Sequence, residues 1–256
     1  MKRLSGLVAA ACVWAAACGA ATLTQWSTID ALLQGRYEGA VTLGEVKRSG
    51  DFGLGTLEAL DGEVLLLDGT VYQIDSQGRV NRPADAVRTP FAAVAFFKEE
   101  IGLDVPAGVA LEDLQKRIDA VLPSANFFYA VRVTGTFAQV KTRSVGRQAK
   151  PYPPLGEVVK TQALFTLTET KGTLAGLRCP VFAKGLNVPG YHFHYLTDAH
   201  EGGGHVLGLV TGEGVRVGVT VLREFAMKLP ETPEFKEVDL SGDQSKVLHA
   251  VESERK

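Results

Sequence analysis

Two Asp-Gly pairs, at residues 61–62 and 68–69, divide one strongly apolar stretch of the chain into segments of strand length. Asp-Gly is a strong signal for a tight hairpin turn, because both positions tolerate the left-handed backbone that such turns require. The stretch therefore predicts three antiparallel strands, Thr56–Leu60, Glu63–Leu67 and Thr70–Ile74. A chain with successive hairpins of this kind is expected to fold around sheets.

Elsewhere, apolar alternation predicts further strands and few helices. The clearest helical periodicity lies in Ala107–Leu122, and a Ser/Thr cap and a terminal glycine favour a short helix over Ser27–Leu33. Residues 126–145 alternate as two strands broken near Gly135. A second glycine-rich segment, residues 212–214, predicts a hairpin turn between two strands.

A weak internal echo relates the two halves of the chain. The segments "GLGTLEALDGEVLLLDG" and "GGGHVLGLVTGEGVRVGV" share a Gly-x-Gly start, a strand, an acidic-Gly turn and a second strand, and their superposition sets Thr56 on His205. Prolines in Lys150–Val158 predict a loop or linker. We therefore expect a mixed α/β (α+β) fold of two similar sheet-based repeats with mixed β-sheets and a few helices, residues 22–149 and 150–256, forming one unit.

The N-terminal residues, 1–21, have the composition of a secretory signal. A basic start precedes an apolar, alanine-rich run that ends in small residues, which predicts cleavage after Ala20 or Ala21 and an exported protein, secreted or periplasmic. The run is short for a membrane span, which needs about 20 apolar residues, so no stable span is expected. The alternative is a lipoprotein processed at Cys18, although Ala15 stands where a large aliphatic residue is usual.

Charge and cysteine content exclude two further classes of protein. The chain carries 27 Lys and Arg against 29 Asp and Glu, and it has no long basic run, which argues against a nucleic-acid partner held by phosphate contacts. Beyond the predicted signal, Cys179 is the single cysteine, so the mature chain has no intramolecular disulfide framework.

Four of the five histidines lie between residues 192 and 205. His192 and His194 are two residues apart in a predicted strand, so their side chains point to the same face. His205 follows a run of three glycines and begins the next strand, and antiparallel pairing would bring it to the same point. Three imidazoles around one point suit zinc with one open position, and iron or copper would also accept them.

The remaining histidines are not expected to bind the metal. His200 lies in the turn between the two histidine-bearing strands, and His249 lies on a predicted C-terminal helix. Spacing alone does not choose between the chemistries that a three-histidine metal supports. A secreted zinc hydrolase, a cupin-like metal enzyme, an enzyme that chelates a hydroxy-keto substrate and a non-catalytic metal-binding protein all remain open.

Three stretches of the chain resemble the α-acetolactate decarboxylase family of zinc enzymes: "ALDGEVLLLDGTVYQ", "GTFAQVKTRSV" and "PVFAKGLNVPGYHFHYLTDAHEGGGHVLG". The resemblance extends from about Tyr37 to the C-terminus. It implies a carboxy-lyase that converts the small molecule 2-acetolactate to acetoin and CO2 in acetoin or butanediol biosynthesis. It also implies Zn²⁺ as the cofactor, and it is compatible with a homodimer.

The resemblance further implies a set of site residues. The zinc ligands would be His192, His194 and His205. The other site residues would be Thr56, Glu63, Arg143 and a C-terminal glutamate, either Glu252 or Glu254, of which Glu252 is favoured. In this interpretation the arginine orients the substrate carboxylate, and a glutamate with a raised pKa protonates the enediolate that CO2 leaves behind.

Overall fold

The structure, a computed structural model, describes residues 21–252. The predicted signal up to Ala20, with the alternative lipidation residue Cys18, lies outside these residues, as does Glu254. No helix within residues 21–252 is long and apolar enough to cross a membrane.

Strands predominate over helices in this part of the chain, as the sequence predicts. The strands are β1 (Thr22–Trp26), β2 (Val41–Thr42), β3 (Phe52–Thr56), β4 (Glu63–Leu67), β5 (Thr70–Ile74), β6 (Val80–Asn81), β7 (Arg88–Thr89), β8 (Phe91–Ala95), β9 (Ile101–Val105), β10 (Phe128–Ser144), β11 (Ala163–Cys179), β12 (Gly190–Thr197), β13 (Gly203–Thr211), β14 (Val215–Leu222) and β15 (Glu224–Lys228). The helices are α1 (Ile29–Leu33), α2 (Leu43–Val46), α3 (Leu111–Asp119), α4 (Leu155–Val158), α5 (Pro233–Glu237) and α6 (Ser245–Glu252).

The first sheet has seven strands in the order β15-β1-β8-β3-β4-β5-β6, and β2 and β7 form a separate two-stranded ladder. All neighbours in the first sheet are antiparallel except β1 and β15. The predicted strands β4 and β5 are confirmed, with a tight turn in which Asp68 and Gly69 have φ of 49° and 76°. Both residues occupy the left-handed region that such hairpin turns require.

The predicted strand Thr56–Leu60 is wrong. The strand lies earlier, at Phe52–Thr56, and Glu58–Leu60 form a 3₁₀ turn. Ala59 and Leu60 have φ of 64° and 56°, and two consecutive left-handed residues do not fit the extended backbone of a regular strand. The chain therefore turns sharply between β3 and β4, and the turn carries Leu60 into the core, where it is 2% exposed.

The second sheet closes on itself. β10 and β11, each of 17 residues, pair antiparallel with each other, β12 pairs with β11, and β13 pairs with both β12 and β10. These four strands form a ring, to which β14 and β9 add further strands. Side chains from all four strands and from α3 fill one core cluster, which includes Phe137, Leu174, Phe193, Tyr195, Leu209, Leu114 and Ile118.

Two predictions for this sheet, the break near Gly135 and the hairpin turn at residues 212–214, are wrong. Residues 128–144 form one continuous strand, and residues 212–214 are not a hairpin turn, because β13 and β14 follow one another along the same edge of β10. Gly135 marks the point where β10 changes partner. A Cβ atom there would lie 2.7 Å from the Cα of Val215, so the glycine reflects close approach between strands rather than a break in the strand.

The helix predictions need smaller corrections. α3 covers Leu111–Asp119, which is shorter than the predicted Ala107–Leu122, because Gly108 has a φ of 83° and cannot belong to a helix. The predicted loop Lys150–Val158 ends in one helical turn, α4, whose first residue follows Pro154. The short helix predicted near Ser27–Leu33 is present as α1, with Thr28 as its cap.

The two sheets pack face to face through a second core cluster that contains residues from both, among them Leu54, Leu65, Ala175, Leu177 and Leu196. Each sheet also takes strands from the other half of the chain: β9 and β10 lie in the second sheet, and β15 lies in the first. The division into residues 22–149 and 150–256 stays a prediction. The echo does not pair equivalent positions, since Thr56 ends β3 whereas His205 lies within β13.

Candidate metal centre

The histidines lie where the second sheet faces the first. His192 and His194 project from the face of β12 opposite to Phe193 and Tyr195, which fill the ring. His205 on β13 is the direct cross-strand partner of His194 and also the partner of Arg143 on β10. The predicted convergence of the three imidazoles is therefore a consequence of strand register.

The glycine run before His205 makes this register possible. A Cβ atom at Gly203 would collide with the carbonyl oxygen of Tyr195, and one at Gly204 would collide with the carbonyl oxygen of Arg143. Gly204 also has a φ of 130°, which side-chain-bearing residues rarely adopt. β13 can lie this close to both β12 and β10 only because residues 203 and 204 are glycines. This close approach fixes the position of His205.

The three imidazoles are spaced for one cation. The Nε2 atom of His192 lies 3.2 Å from Nε2 of His194 and 3.1 Å from Nδ1 of His205. One nitrogen from each ring lies within 4.8 Å of the others. Tetrahedral zinc–nitrogen bonds of about 2.0–2.1 Å would separate ligand nitrogens by about 3.3 Å, so the two shorter separations fit zinc ligation.

The imidazoles are also in the protonation state that a metal needs. Burial lowers the pKa of His192 and of His194 to about 3, and burial with the nearby Arg143 guanidinium lowers the pKa of His205 well below its usual value. The rings are therefore neutral at physiological pH. The Nδ1 atom of His194 lies 2.8 Å from the carbonyl oxygen of Val64, an acceptor that leaves the Nε2 lone pair facing the site.

Arg143 and Glu63 form a buried ion pair beside the histidines. The Nη1 atom of Arg143 donates to Oε1 of Glu63 at 2.6 Å, and Oε2 of Glu63 lies 3.4 Å from Nε2 of His194. Both side chains are at least nine-tenths buried, and Nε of Arg143 has no hydrogen-bond partner among the described residues. The first sheet thus contributes a carboxylate, and the second sheet contributes a guanidinium with spare donors.

Glu252 approaches from the other side, on the last described turn of α6. Its Oε2 atom lies 3.6 Å from Nε2 of His205, and its Oε1 atom lies 4.0 Å from Nη2 of Arg143. Burial raises the pKa of the Glu252 carboxyl to about 7, against the opposing effect of the Arg143 charge. Of the two C-terminal candidates, Glu252 lines the site, and Glu254 lies outside the described residues.

Thr56 lines the same cavity at the end of β3. Its hydroxyl donates to the carbonyl oxygen of Gly62 at 2.7 Å, and its own carbonyl accepts a hydrogen bond from the Thr89 hydroxyl at 2.6 Å. These bonds close the turn that leads from β3 into Glu63, the first residue of β4. Thr56 therefore holds the turn, and its hydroxyl proton is directed at the main chain.

Apolar side chains form the opposite wall of a small cavity of about 30 Å³. The sequence interpretation did not include them in the site. They come from α1, the 3₁₀ turn, β8, the segment after β10 and α4, and they are Ile29, Leu32, Leu60, Phe91, Val145 and Leu155. The apolar spacing of the predicted helix near Ser27–Leu33 signalled a buried face, but nothing in it indicated what that face would cover.

The other two histidines, His200 and His249, lie outside the lining of this cavity. His200 is exposed in the β12–β13 turn with a φ of 56°, and its ring centroid is 4.8 Å from that of Tyr72. His249 is exposed on α6. The cavity thus combines three neutral imidazoles, two carboxyl groups and a guanidinium with an apolar wall. Such a site can hold a divalent cation and a small anion together, largely shielded from water.

Comparison with known proteins identifies the family of this chain. The family profile described as alpha-acetolactate decarboxylase matches residues 23–242. Proteins with that name from Methanosarcina mazei and Methylococcus capsulatus are each 42% identical to the chain; the alignments cover 90% of the chain and 80% and 88% of those proteins. The family match ends before Glu252.

Solved structures of similar proteins have the same fold. The crystal structure of alpha-acetolactate decarboxylase from Bacillus subtilis strain 168 has a TM-score of 0.89 at 36% identity, covering 91% of this chain and all of that one. A Staphylococcus aureus protein described as similar to alpha-acetolactate decarboxylase has a TM-score of 0.84 at 27% identity, covering 90% and 98%. These matches cover about nine-tenths of the chain at high structural similarity, and with the family profile they show that the chain belongs to the alpha-acetolactate decarboxylase family.

Proposed function

We propose that this protein is a zinc-dependent lyase that decarboxylates 2-acetolactate, 2-hydroxy-2-methyl-3-oxobutanoate, to acetoin and CO2, as a step of acetoin or butanediol formation. One observation carries the proposal. Three neutral imidazoles converge within 4.8 Å of one another beside a buried arginine that has spare donors. This pairs a cation site with an anchor for a carboxylate.

His192, His194 and His205 would hold the zinc. The separations of 3.1 and 3.2 Å between their nitrogens and the hydrogen bond from His194 to Val64 support this role. Bound there, zinc supplies a Lewis acid that polarises the hydroxyl and carbonyl oxygens of the substrate and stabilises the negative charge that develops as CO2 leaves.

Arg143 would orient the carboxylate that is lost. Its Nη1 donor is engaged by Glu63, whereas Nε has no partner among the described residues and Nη2 is 4.0 Å from Glu252. A planar guanidinium with two free N–H directions matches a carboxylate in a two-pronged geometry. The ion pair with Glu63 fixes the plane of the guanidinium before the substrate arrives.

Glu252 would supply the proton. When the bond between the carboxylate carbon and C2 breaks, its electron pair passes into an enediolate, and C2 must then accept a proton. A carboxyl group with a pKa of about 7 is about half protonated at neutral pH, which suits a general acid. Delivery from one side of the cavity would protonate one face of the enediolate, and Glu252 would regain its proton from water.

The experiment measures acetoin and CO2 formed from 2-acetolactate by the purified protein, before and after treatment with a chelator and after addition of Zn²⁺. We expect one acetoin per CO2, loss of activity with the chelator, and recovery with zinc. Activity that the chelator leaves unchanged would contradict the zinc proposal. A zinc-loaded, folded protein that forms no acetoin would contradict the decarboxylase proposal.

We also propose that the protein is exported after cleavage of residues 1–20 or 1–21, with lipidation at Cys18 as the alternative. β1 begins at Thr22, and the carbonyl of Ala21 accepts from the main chain of Arg223, which favours cleavage after Ala20 over cleavage after Ala21. Mass spectrometry of the native N-terminus distinguishes these outcomes. An intact Met1 on a cytoplasmic protein would contradict export.

A further inference from the structure

An open groove of about 780 Å³ lies on the surface between α1, α4 and α6. It is distinct from the small cavity beside the three histidines, whose 30 Å³ has room for about two water molecules and not for a substrate the size of 2-acetolactate. The polar side chains that line this outer groove are Gln34, Arg36, Glu157, Lys160, Gln244 and Lys246. A substrate must cross one wall of the small cavity to reach the histidines, and the outer groove lies directly behind one of these walls.

Residues that are adjacent in the sequence line the two spaces. Within each of α1, α4 and α6, one residue lines the small cavity and an adjacent residue lines the outer groove. The pairs are Leu32 and Leu33, Leu155 and Gly156, and Glu252 and Val251, in each case with the cavity residue first. A single layer of main chain and side chains therefore separates the outer groove from the small cavity.

Glu252 is the most exposed of the polar residues that line the small cavity. Its side chain is 16% exposed, whereas the side chains of Arg143 and Glu63 are 5% and 8% exposed. The two helices beside this opening are lightly packed, since α4 buries Leu155 and Val158 and α6 buries two apolar side chains. The small cavity therefore comes closest to solvent where the surrounding structure can part most easily.

The outer groove is positively charged. Arg36, Lys160 and Lys246 line it against one carboxylate, Glu157, although the whole chain has a formal charge of −2. Lys160 pairs with Glu157, but both side chains are more than half exposed, and such surface pairs contribute little. Within residues 21–252, Arg36 and Lys246 form no ion pair, and the Nε atom of Arg36 is buried without a hydrogen-bond partner. The groove thus offers unpaired positive charge to an anion.

We propose that the outer groove binds the carboxylate of 2-acetolactate before the substrate passes between α4 and α6 into the small cavity. This inference rests on the decarboxylase activity proposed above. The substrate is an anion, whereas acetoin and CO2 are neutral, so the groove attracts the substrate and does not retain the products. Positive charge at the entrance to a site raises the rate at which an anion arrives, and added salt weakens that effect.

The first test measures binding without catalysis. The unreactive hydroxy acid 2-hydroxy-2-methylpropanoate is titrated into the full-length protein while the amide NMR shifts are followed. We expect the amides of Lys160 and Ala250 in the outer groove to shift in the wild type, and also in His194→Ala, because binding in the groove does not need zinc. Acetoin, the neutral control, should leave these amides unchanged.

The second test removes charge from the outer groove. Lys160→Gln/Lys246→Gln changes two exposed side chains, so fold and zinc content should be kept. We expect the hydroxy acid to bind at least about threefold more weakly, and kcat/KM at low ionic strength to fall about 3- to 10-fold with kcat unchanged. The difference in kcat/KM should disappear in about 0.5 M salt. Lys116→Gln/Lys171→Gln, a matched change at two exposed lysines that also lie beside carboxylates, should behave as wild type.

The third test fills the outer groove without changing its charge. Ala250 is exposed on α6 and lines the groove, so Ala250→Trp should obstruct it while the thermal unfolding temperature and the zinc content stay the same. We expect kcat/KM to fall about tenfold. Ala120→Trp, at the exposed end of α3, is the control for an added indole ring, and it should leave kcat/KM unchanged.

Two results would overturn the outer site and leave the decarboxylase intact. One is a set of groove amides that do not respond to the hydroxy acid, or that respond equally in Lys160→Gln/Lys246→Gln. The other is an unchanged kcat/KM in both that variant and Ala250→Trp. A folded, zinc-loaded protein without activity would instead overturn the decarboxylase proposal, and the titration alone would then decide whether the groove binds carboxylates.

Discussion

The cavity has two walls of different construction. One wall is sheet: it carries the three histidines, Arg143 and Glu63, and each of these strands is held by main-chain hydrogen bonds to its neighbours. The other wall is mainly helical: it contains α1, α4 and α6, which are held by apolar side chains in a separate core cluster. Groups that must keep fixed distances are on the sheet wall, and Glu252, which is proposed to move a proton, is on the helical wall.

The two walls also differ in how closely their carboxyl groups approach Arg143. Glu63 on the sheet wall is 2.6 Å from the guanidinium, whereas Glu252 on the helical wall is 4.0 Å from it. α6 buries two apolar side chains, Leu248 and Val251. Since the cavity is small and its lining is mostly buried, a substrate needs a wall that opens, and we expect the helical wall to be the one that does.

The largest effect should follow from damage to the sheet wall. His194→Ala removes one of three ligands and the ring that Val64 orients, so the protein should lose zinc and acetoin formation should fall on the order of a thousandfold or more. Metal analysis and the acetoin assay measure both. His200→Ala is the matched control, and it should keep both properties; full zinc content in His194→Ala would refute the ligand assignment.

Arg143→Lys tests the anchor on the same wall. Lysine keeps the positive charge but not the two-pronged geometry, so we expect zinc to be retained and kcat/KM to fall about 100- to 1000-fold. Arg147→Lys, at an exposed position four residues later, should behave as wild type. Near-normal turnover in a folded, zinc-loaded Arg143→Lys protein would remove the arginine from the mechanism.

Glu252→Gln tests the helical wall and should cost about 100-fold, the lower range for general acid catalysis. The sign of the pH dependence follows from the raised pKa. The carboxyl is protonated below about pH 7 and loses its proton above it, so wild-type activity should fall as pH rises through about 7. In Glu252→Gln, activity should no longer fall as the pH rises through about 7. Glu254→Gln should retain wild-type activity and profile; the reverse result would assign the role to Glu254.

The smallest effect should follow from loosening the helical wall without changing a polar group. Leu248→Ala should speed hydrogen exchange in α6 and lower activity several-fold, while the main unfolding transition hardly moves, because α6 can detach locally. Leu54→Ala, a truncation between the sheets, should instead lower the unfolding free energy of the whole protein by about 2–5 kcal/mol. If both variants shift the main transition equally, the two walls are not independently stable.

What the sequence could predict depends on the range of the interactions involved. The β4–β5 hairpin and the common face of His192 and His194 follow from turn chemistry and from the period of a strand, which are local. The left-handed backbone at Leu60 had no local signal, since neither alanine nor leucine favours it. The strand prediction for Thr56–Leu60 failed for that reason.

The closed ring of strands could not be predicted from the sequence for another reason. The glycines at 212–214 are compatible with a hairpin between β13 and β14, and only the long partner β10 decides that the two strands continue along one edge instead. The apolar wall of the cavity could not be predicted either, because Leu32, Leu60 and Leu155 come from three segments that are distant in the sequence. The resemblance to a known family supplied Glu63, Arg143 and Glu252, whose spacing along the chain carries no signal.

Along β12, residues that line the cavity alternate with residues that belong to the hydrophobic core. His192 and His194 face the cavity, while Phe193 and Tyr195 face the interior of the ring. For directed evolution, this separates two sets of mutations on one strand: changes at 193 and 195 are expected to alter thermostability, and changes at 192 and 194 are expected to alter the affinity for the proposed metal. A library can therefore search one set while the other is held constant, and gains from the two sets should combine with little interference.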